Sequence, residues 1–295
     1  MSNNKHGLIK ESLNNYIFLI IPLSIYIIFF IIPNVQVIFY SFFNWNGLTP
    51  IKEFIGIKNF IYLFSDNIFR VSIWHTLVYA ATLVLVQSTI GLFIAVLIYR
   101  KSKSNIFFRV LIFMPAMLSS VAIGLIWSFG IYDANIGALN NILELLGLEN
   151  FQRLWLADPK IALFIIVSVH IWMGIGYSMV LFIAGLQGIP GEIYEAAAID
   201  GVNRWQNFKN ITLPLLKQTS KIVLILTTVG GFISFDFVYI LTRGGIDHSS
   251  ELIASYLYKR AFVFNNVGYA SAISFILLIM VLMISIFQIK VSRED

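Results

Sequence analysis

Histidines, glycines and cysteines are the first residues to consider for chemistry in this chain. The four histidines, His6, His75, His170 and His248, show no close pairing with carboxylates at a spacing typical of a metal site. None of the 19 glycines is followed by lysine, so the sequence lacks the G-K-[ST] phosphate loop. It also contains no cysteine, which excludes disulfides and thiol catalysis. We therefore predict no catalytic centre, no metal site and no cofactor in this chain.

Three residues of one strongly apolar segment could instead bind a solute. His170, Gly174 and Tyr177 are spaced i, i+4 and i+7, so they share one face of a helix, and the glycine leaves room beside the two rings. Polar groups in such segments are costly unless they face a cavity or another helix. Aromatic faces with neutral hydrogen-bonding groups suit a sugar, whose hydroxyls both donate and accept. The alternative is that His170 and Tyr177 only bond to a neighbouring helix.

Asp236 is the only carboxylate that we expect inside an apolar segment. In a secondary transporter it would couple transport to a proton or a cation. It lies near the predicted outer end of its segment, where pairing with Arg243 or with water makes it less costly. We therefore expect a structural or gate-lining role more than ion coupling. Gln87 is another polar residue that we expect to be buried.

The apolar content of the chain decides which elements position these residues. The chain is 58% hydrophobic and 12% charged, and its mean hydropathy is +0.83, which is too apolar for a soluble domain. A bilayer core of about 30 Å requires about 20 apolar helical residues, and continuous runs favour helices over a β-barrel. We predict an all-α integral membrane protein, a single domain over residues 1–295, with six spans at about Tyr16–Phe43, Ser72–Tyr99, Phe107–Ile131, Ile161–Leu186, Thr219–Leu241 and Tyr269–Ile289.

Lysine and arginine indicate how these spans are oriented. With the N-terminus in the cytoplasm, the inside segments hold the larger share of the 20 basic residues, although the bias is modest. Both termini are then cytoplasmic. The net charge of +5 reflects this topology and not a nucleic-acid surface. The first run is too long for a signal peptide and lacks a cleavage pattern, so we keep it as a span.

The loop between the fourth and fifth runs, residues 187–218, has the pattern of two short helices. Pro190 and the early acidic residues Glu192 and Glu195 are typical of a helix start, and Gly201 is typical of a helix end. Three consecutive alanines would let this helix approach a groove closely. The second stretch places Trp205, Phe208 and Thr212 at helical spacing, which suits a helix in the membrane interface. Composition alone favours an ordinary amphipathic connector.

A motif at fixed spacing within this loop decides between a helix that docks to a partner and an ordinary connector. It consists of Glu195, Ala196, Ala197, Asp200 and Gly201, then nine residues, then Ile211, Leu213 and Pro214. This motif resembles the EAA motif of ABC importer permeases of the maltose and glycerol-3-phosphate type. The resemblance runs along most of the chain, including Phe108, Arg109, Pro115 and Trp127 around the third run. It departs from the family at Val202, where alanine is usual, and at His75, where asparagine is frequent.

The resemblance implies a type I importer fold in the inner membrane of a prokaryote. This subunit would pair with a second, similar permease, and an extracytoplasmic solute-binding protein would meet the outer loops. A separate ABC ATPase dimer would bind ATP and Mg²⁺, and a cytosolic coupling helix of this chain would enter a cleft of that dimer. The residues implied in ATPase coupling are Glu192, Glu195, Ala196, Ala197, Asp200 and Gly201. Glu195 would face a basic ATPase residue, and Gly201 would fix the docking angle.

The same resemblance implies a sugar site formed by the fourth and fifth spans. The corresponding positions are His170, Gly174 and Tyr177, with Thr227 and Gly231 in the fifth span, and Asp236 would lie along the pathway. The exact solute stays open among sugars, oligosaccharides, polyols and glycerol phosphates. A stand-alone secondary carrier or channel is the main alternative, but it would need no docking helix. A membrane-embedded enzyme has little support, because the sequence shows no nucleophile and base pair.

Overall fold

The computed structural model describes residues 19–100 and 102–291, and it is almost entirely helical. The start of the first predicted span, the termini and the basic residues Lys5, Lys10 and Arg293 lie outside the described residues. The helices are α1 (Leu19–Tyr40), α2 (Lys58–Ser65), α3 (Asn67–Ile98), α4 (Lys103–Met117), α5 (Ser120–Ile131), α6 (Ala138–Leu145), α7 (Ala162–Gln187), α8 (Gly191–Ile199), α9 (helical pieces over 204–215), α10 (Lys217–Phe232), α11 (Asp236–Leu241), α12 (Ile253–Tyr258) and α13 (Val267–Val291). Strands β1 (Phe43–Asn44) and β2 (Glu53–Phe54) form a short hairpin.

Five helical segments are long and apolar enough to cross a membrane. They are α1, α3, α7, the α10 and α11 pair, and α13, and the α4 and α5 pair makes a sixth if it is counted as one span. This confirms an all-α membrane fold. The second span begins earlier than predicted because Asp66 caps α3, accepting hydrogen bonds from the N–H groups of Ile68 and Phe69 at 2.9 and 3.3 Å.

The third span differs from the predicted continuous helix over Phe107–Ile131, because α4 and α5 are bent by 91°. Pro115 lies in a tight 3-10 turn at the end of α4 and cannot donate a backbone hydrogen bond. Leu118 and Ser119 are then extended. The hydroxyl of Ser119 accepts the N–H of Val121 at 3.3 Å, which starts α5 as a new helix.

The chain forms two compact units. The larger unit comprises Asp66–Tyr256 and the residues from Leu277 onward. In it, α3 packs along α7 and α10. Two glycines allow these helices to approach closely, because a Cβ on Gly91 would lie 2.7 Å from Cβ of Ser178 and one on Gly231 would lie 2.8 Å from Cα of Ala80. The helices of this unit therefore pack backbone against backbone where the glycines lie.

An arginine fixes the turn between α3 and α4 in this unit. The guanidinium of Arg109 donates hydrogen bonds to the carbonyls of Ile98 at 2.6 Å, Tyr99 at 2.6 Å and Arg100 at 3.2 Å. The last carbonyls of α3 have no partner within their own helix, and a cation also complements the negative end of the helix dipole. Arg109 therefore closes the end of α3 that lies next to α4.

The smaller unit comprises the residues up to Ser65 and Leu257–Ile276. In it, the Asn59 amide donates to the carbonyls of Ser41 at 2.8 Å and Phe43 at 3.0 Å. Gly268 donates its N–H to the carbonyl of Trp45 at 2.9 Å. A Cβ at Gly268 would clash with the backbone of Phe43, so this close approach requires glycine.

Candidate functional site

A cavity of about 250 Å³ lies among α3, α4, α7 and α10 of the larger unit, and we call it the central cavity. Four of the predicted substrate residues line it, namely His170, Gly174, Tyr177 and Thr227. The remaining lining residues are Leu83, Gln87, Ala116, Met173, Ser178, Leu181, Val223, Leu226 and Gly230. The structure therefore brings together residues from helices that are distant in the sequence.

Gly231 and Asp236 lie outside this lining. Gly230 lines the central cavity instead of Gly231, which packs against Ala80 of α3. The fifth span also breaks after α10, and Asp236 is the first residue of α11 beyond that break. Within the described chain, the predicted substrate residues are thus divided between the cavity, a helix contact and a helix start.

An amide crosses from α3 to α7 at the wall of the central cavity. The Gln87 side chain donates hydrogen bonds to the carbonyl of Gly174 at 3.1 Å and to the hydroxyl of Ser178 at 2.9 Å. A Cβ on Gly174 would lie 2.6 Å from Cδ and 2.8 Å from Nε2 of Gln87. The absent side chain at Gly174 therefore makes the space that this amide occupies.

His170 is held by a second set of polar contacts. Its Nδ1 lies 2.9 Å from the hydroxyl of Tyr79, which accepts a hydrogen bond from Ser234 at 3.2 Å. The ring of Phe237 lies 5.2 Å from the imidazole ring, measured between centroids. The alternative of a bond to a neighbouring helix therefore applies to His170, although the same ring also lines the cavity.

Tyr177 is placed differently from His170. Its side chain is 49% exposed, and in the described part of the chain its hydroxyl has no hydrogen-bond partner. Thr227 donates its hydroxyl to the carbonyl of Val223 at 2.7 Å, which leaves the oxygen as an acceptor. Tyr177 is therefore the polar group of the lining that is most available to a bound molecule.

The lining of the central cavity is mainly apolar, with a few neutral polar groups. The described lining contains apolar side chains, hydroxyls, one amide and one imidazole, but no Asp, Glu, Lys or Arg. Such a surface binds a neutral molecule with apolar faces and several hydroxyls better than an ion, which would lose its hydration without a counter-charge.

Asp236 has a different partner from the one expected. The hydroxyl of Ser120 donates to its carboxylate at 2.6 Å, and no ion pair with Arg243 occurs among the described residues. Gly124 of α5 also packs against Ile240 of α11, because a Cβ there would lie 2.8 Å from Cγ2 of the isoleucine. The short helices α5 and α11, which follow the breaks in the third and fifth spans, therefore contact each other.

The helix predicted to dock to an ATPase forms as α8, and its charged residues face outward. Glu192, Glu195 and Asp200 are exposed, whereas Ala197 is buried. Two bonds close its end: the N–H of Gly201 donates to the carbonyl of Ala198 at 3.2 Å, and the N–H of Val202 donates to that of Ala197 at 3.0 Å. Gly201 has φ of +72°, which explains the glycine at this position.

A buried carboxyl group was missed in the sequence. Glu251 is 0% exposed, and its carboxylate accepts hydrogen bonds from His248 at 2.9 Å and Ser255 at 2.6 Å. This pair was not singled out in the sequence, where the histidines were compared only with metal-site spacings, although the i, i+3 spacing of His248 and Glu251 was the available signal. In residues 19–100 and 102–291, no group of three His, Asp or Glu side chains could hold a metal ion.

Comparison with known proteins places this geometry among transport proteins. The model of the family described as "Binding-protein-dependent transport system inner membrane component" matches residues 87–293. The chain is 38% identical to the probable ABC transporter permease protein YurN of Bacillus subtilis, and the match covers 93% of this chain and 94% of that protein. It is 36% identical to the multiple sugar-binding transport system permease protein MsmF of Streptococcus mutans, with 97% and 98% covered.

A solved structure shows the same fold. It is the crystal structure of a bacterial ABC transporter involved in the import of the acidic polysaccharide alginate. The match has a TM-score of 0.86 at 22% sequence identity and covers 99% of both chains. At this identity the similarity concerns the fold, and the matched length includes the bent third span and the loop of residues 187–218.

Proposed function

Since the chain belongs to the family of binding-protein-dependent transport system inner membrane components, we propose that it forms half of an ATP-driven import pathway for a carbohydrate. It is a multi-pass membrane permease, and the family is one of transport subunits and not of enzymes. The proposal concerns the solute, the partners and the roles of individual residues.

The observation that carries the carbohydrate assignment is the lining of the central cavity. It combines the exposed ring of Tyr177 with the neutral polar groups of Gln87, Ser178 and Thr227. Sugars present apolar C–H faces for rings and hydroxyls for amides and hydroxyls. The relative MsmF is named as a permease of a multiple sugar-binding transport system, which supports this class. The absence of basic side chains from the described lining favours a neutral sugar over an acidic or phosphorylated one.

The partners follow from the exposed coupling helix. We propose that Glu192, Glu195 and Asp200, together with the small residues of α8, meet an ABC ATPase dimer, which binds the ATP and Mg²⁺. A second permease subunit completes the pathway, and a solute-binding protein delivers the solute to the outer side. The positive-inside distribution supports cytoplasmic termini in the inner membrane of a prokaryote, with α8 and α9 on the cytoplasmic side.

Reconstitution tests this function directly. Proteoliposomes that contain both permeases and the ATPase, supplied with the solute-binding protein, are expected to accumulate a neutral sugar only when ATP is present. A panel of monosaccharides, oligosaccharides, polyols and glycerol phosphates identifies the solute. Accumulation by this chain alone, without ATP or the ATPase, would show a secondary carrier and would contradict the proposal.

Asp236→Asn separates a structural role from ion coupling. We expect this variant to retain most of the uptake, because the amide oxygen of asparagine still accepts the hydrogen bond from Ser120. Asp236→Leu removes the acceptor and is expected to reduce uptake by roughly threefold to tenfold, the range of one hydrogen bond. The measurement is ATP-driven uptake at matched amounts of assembled complex. An inactive Asn variant would instead indicate that the carboxylate charge itself is needed.

A further inference from the structure

The coupling helix has one side-chain hydrogen bond to the helix that follows it. The hydroxyls of Tyr194 in α8 and Thr212 in α9 lie 3.2 Å apart, and either can donate to the other. Next to this pair, Ala197 is buried, whereas Glu195 and Ala198 are exposed. Tyr194 thus lies on the side of α8 that faces its own chain.

The covalent connection between the two helices is a short, capped turn. α8 ends at Gly201, and α9 begins with a capping box in which the Asn203 side chain accepts the N–H of Gln206 at 2.9 Å and the Gln206 side chain accepts the N–H of Asn203 at 3.0 Å. A turn of this kind joins two helices at one point, and rotation of one helix about that point costs little free energy. A second contact further along both helices fixes the angle between them, and the Tyr194–Thr212 pair is such a contact.

Thr212 is buried and held by backbone contacts at the end of α9. It is 6% exposed, and it lies one turn before Leu216, which is 0% exposed. The N–H of Leu216 donates to the carbonyl of Thr212 at 2.9 Å. A Cβ on Gly185 of α7 would lie 2.9 Å from Cδ2 of Leu216 and 2.9 Å from Cβ of Thr219. The C-terminal end of α9 therefore packs where α7 and α10 meet, and both of those helices line the central cavity.

We propose that Tyr194 and Thr212 are positioning residues that fix the angle of α8 and transmit movement of the ATPase into α7 and α10. The proposal rests on the coupling role of α8 given under Proposed function. With the hydroxyl pair intact, displacement of α8 moves the C-terminal end of α9. Without the pair, α8 rotates at the turn near Gly201 and the displacement does not reach α9. The pair thus determines how much sugar is moved for each ATP hydrolysed.

The test removes one hydroxyl at a time in the complete transporter. Tyr194→Phe and Thr212→Val each delete one partner and keep the side-chain volume nearly unchanged. In proteoliposomes with the ATPase and the solute-binding protein, each is expected to lower the number of sugar molecules imported per ATP by about threefold to tenfold. The ATPase rate without binding protein and the yield of assembled complex are expected to stay at the wild-type level.

Further variants distinguish a positioning role from simple packing. The double variant is expected to be no worse than Thr212→Val, because both substitutions remove the Tyr194–Thr212 bond. Thr212→Val also removes the longer contact of the Thr212 hydroxyl with Oδ1 of Asn207 at 3.5 Å, so it is expected to be at least as impaired as Tyr194→Phe. Thr212→Ser keeps the hydroxyl and is expected to restore the wild-type ratio. Matched controls are Tyr62→Phe and Thr89→Val, which change exposed residues far along the chain from α8 and are expected to have no effect.

Each result has a definite meaning. If the wild-type complex shows neither ATP-driven uptake nor stimulation by binding protein, the proposed function fails. If the wild-type complex is active and the Phe and Val variants import as much sugar per ATP, only the positioning role is overturned. Loss of assembled complex in both variants, or additive losses in the double variant, would assign the pair to folding of α8 and would also overturn the inference.

Discussion

Replacing Glu195 with lysine is expected to lower ATP-driven sugar uptake by roughly a hundredfold, since bringing like charges together at an interface costs several kcal/mol. The carboxylate is exposed on α8, and its own chain provides it with no ion pair among the described residues. In the proposed complex it faces a basic residue of the ATPase. Lysine at this position would repel that residue and would separate ATP hydrolysis from transport.

The measurements for Glu195→Lys are uptake, binding-protein-stimulated ATPase activity and the amount of complex that purifies with the ATPase. We expect normal insertion into the membrane, because the substitution adds positive charge to a loop that is proposed to lie inside. Glu195→Gln removes the charge without reversing it and serves as the comparison, because it loses the proposed ion pair without introducing like-charge repulsion. Uptake and assembly at the wild-type level in Glu195→Lys would contradict the docking role.

Replacing Gly174 with valine is expected to reduce uptake by at least about tenfold. The added side chain would meet Gln87 at less than normal contact distance, so the amide must leave its position between Gly174 and Ser178. Displacement leaves a buried amide without its partners and also fills part of the central cavity. Each lost or blocked hydrogen bond to a sugar lowers affinity, and the loss of several exceeds tenfold.

Gly230→Ala is the matched control for Gly174→Ala, which adds the same single carbon and already meets Gln87. Gly230 also lines the central cavity, but a Cβ there would meet no atom within 4 Å. We expect this variant to transport at nearly the wild-type rate. The comparison is made with equal amounts of assembled complex and with a range of sugar concentrations. Equal losses in the two variants would mean that any side chain in this part of the cavity is harmful, and that the Gln87 amide has no special role.

The sequence allowed the spans to be predicted, but not their breaks. Long apolar runs identify lipid-crossing helices because the bilayer imposes a minimum length. The bend after Met117 has a local signal in Pro115, yet the 91° angle depends on how α5 packs against α11. The break after Phe232 has no proline within it. Gly230 and Gly231 just before it lower the helix propensity, but they do not by themselves fix where the helix ends.

The candidate sites also differ in how much of them the sequence could predict. The end of α8 follows from Gly201, since the closing bonds join neighbouring residues. The wall of the cavity depends on Gln87 and Ser178, which are 91 residues apart. Helical spacing identified the shared face of His170, Gly174 and Tyr177, but not that His170 bonds to Tyr79. Local patterns thus predict local geometry, and contacts between distant helices require the fold.

The uncharged lining of the central cavity bears on whether the membrane potential acts on the proposed solute. A membrane potential does work of about 2.3 kcal/mol per 100 mV on each elementary charge that moves across the bilayer. The proposed neutral sugar carries no charge, and the described lining adds none, so in an ATP-driven importer without a coupled ion the voltage would perform no work on the transport step. Collapsing the potential with an ionophore should then leave accumulation unchanged, and hydrolysis of ATP supplies the whole free energy of the concentration gradient.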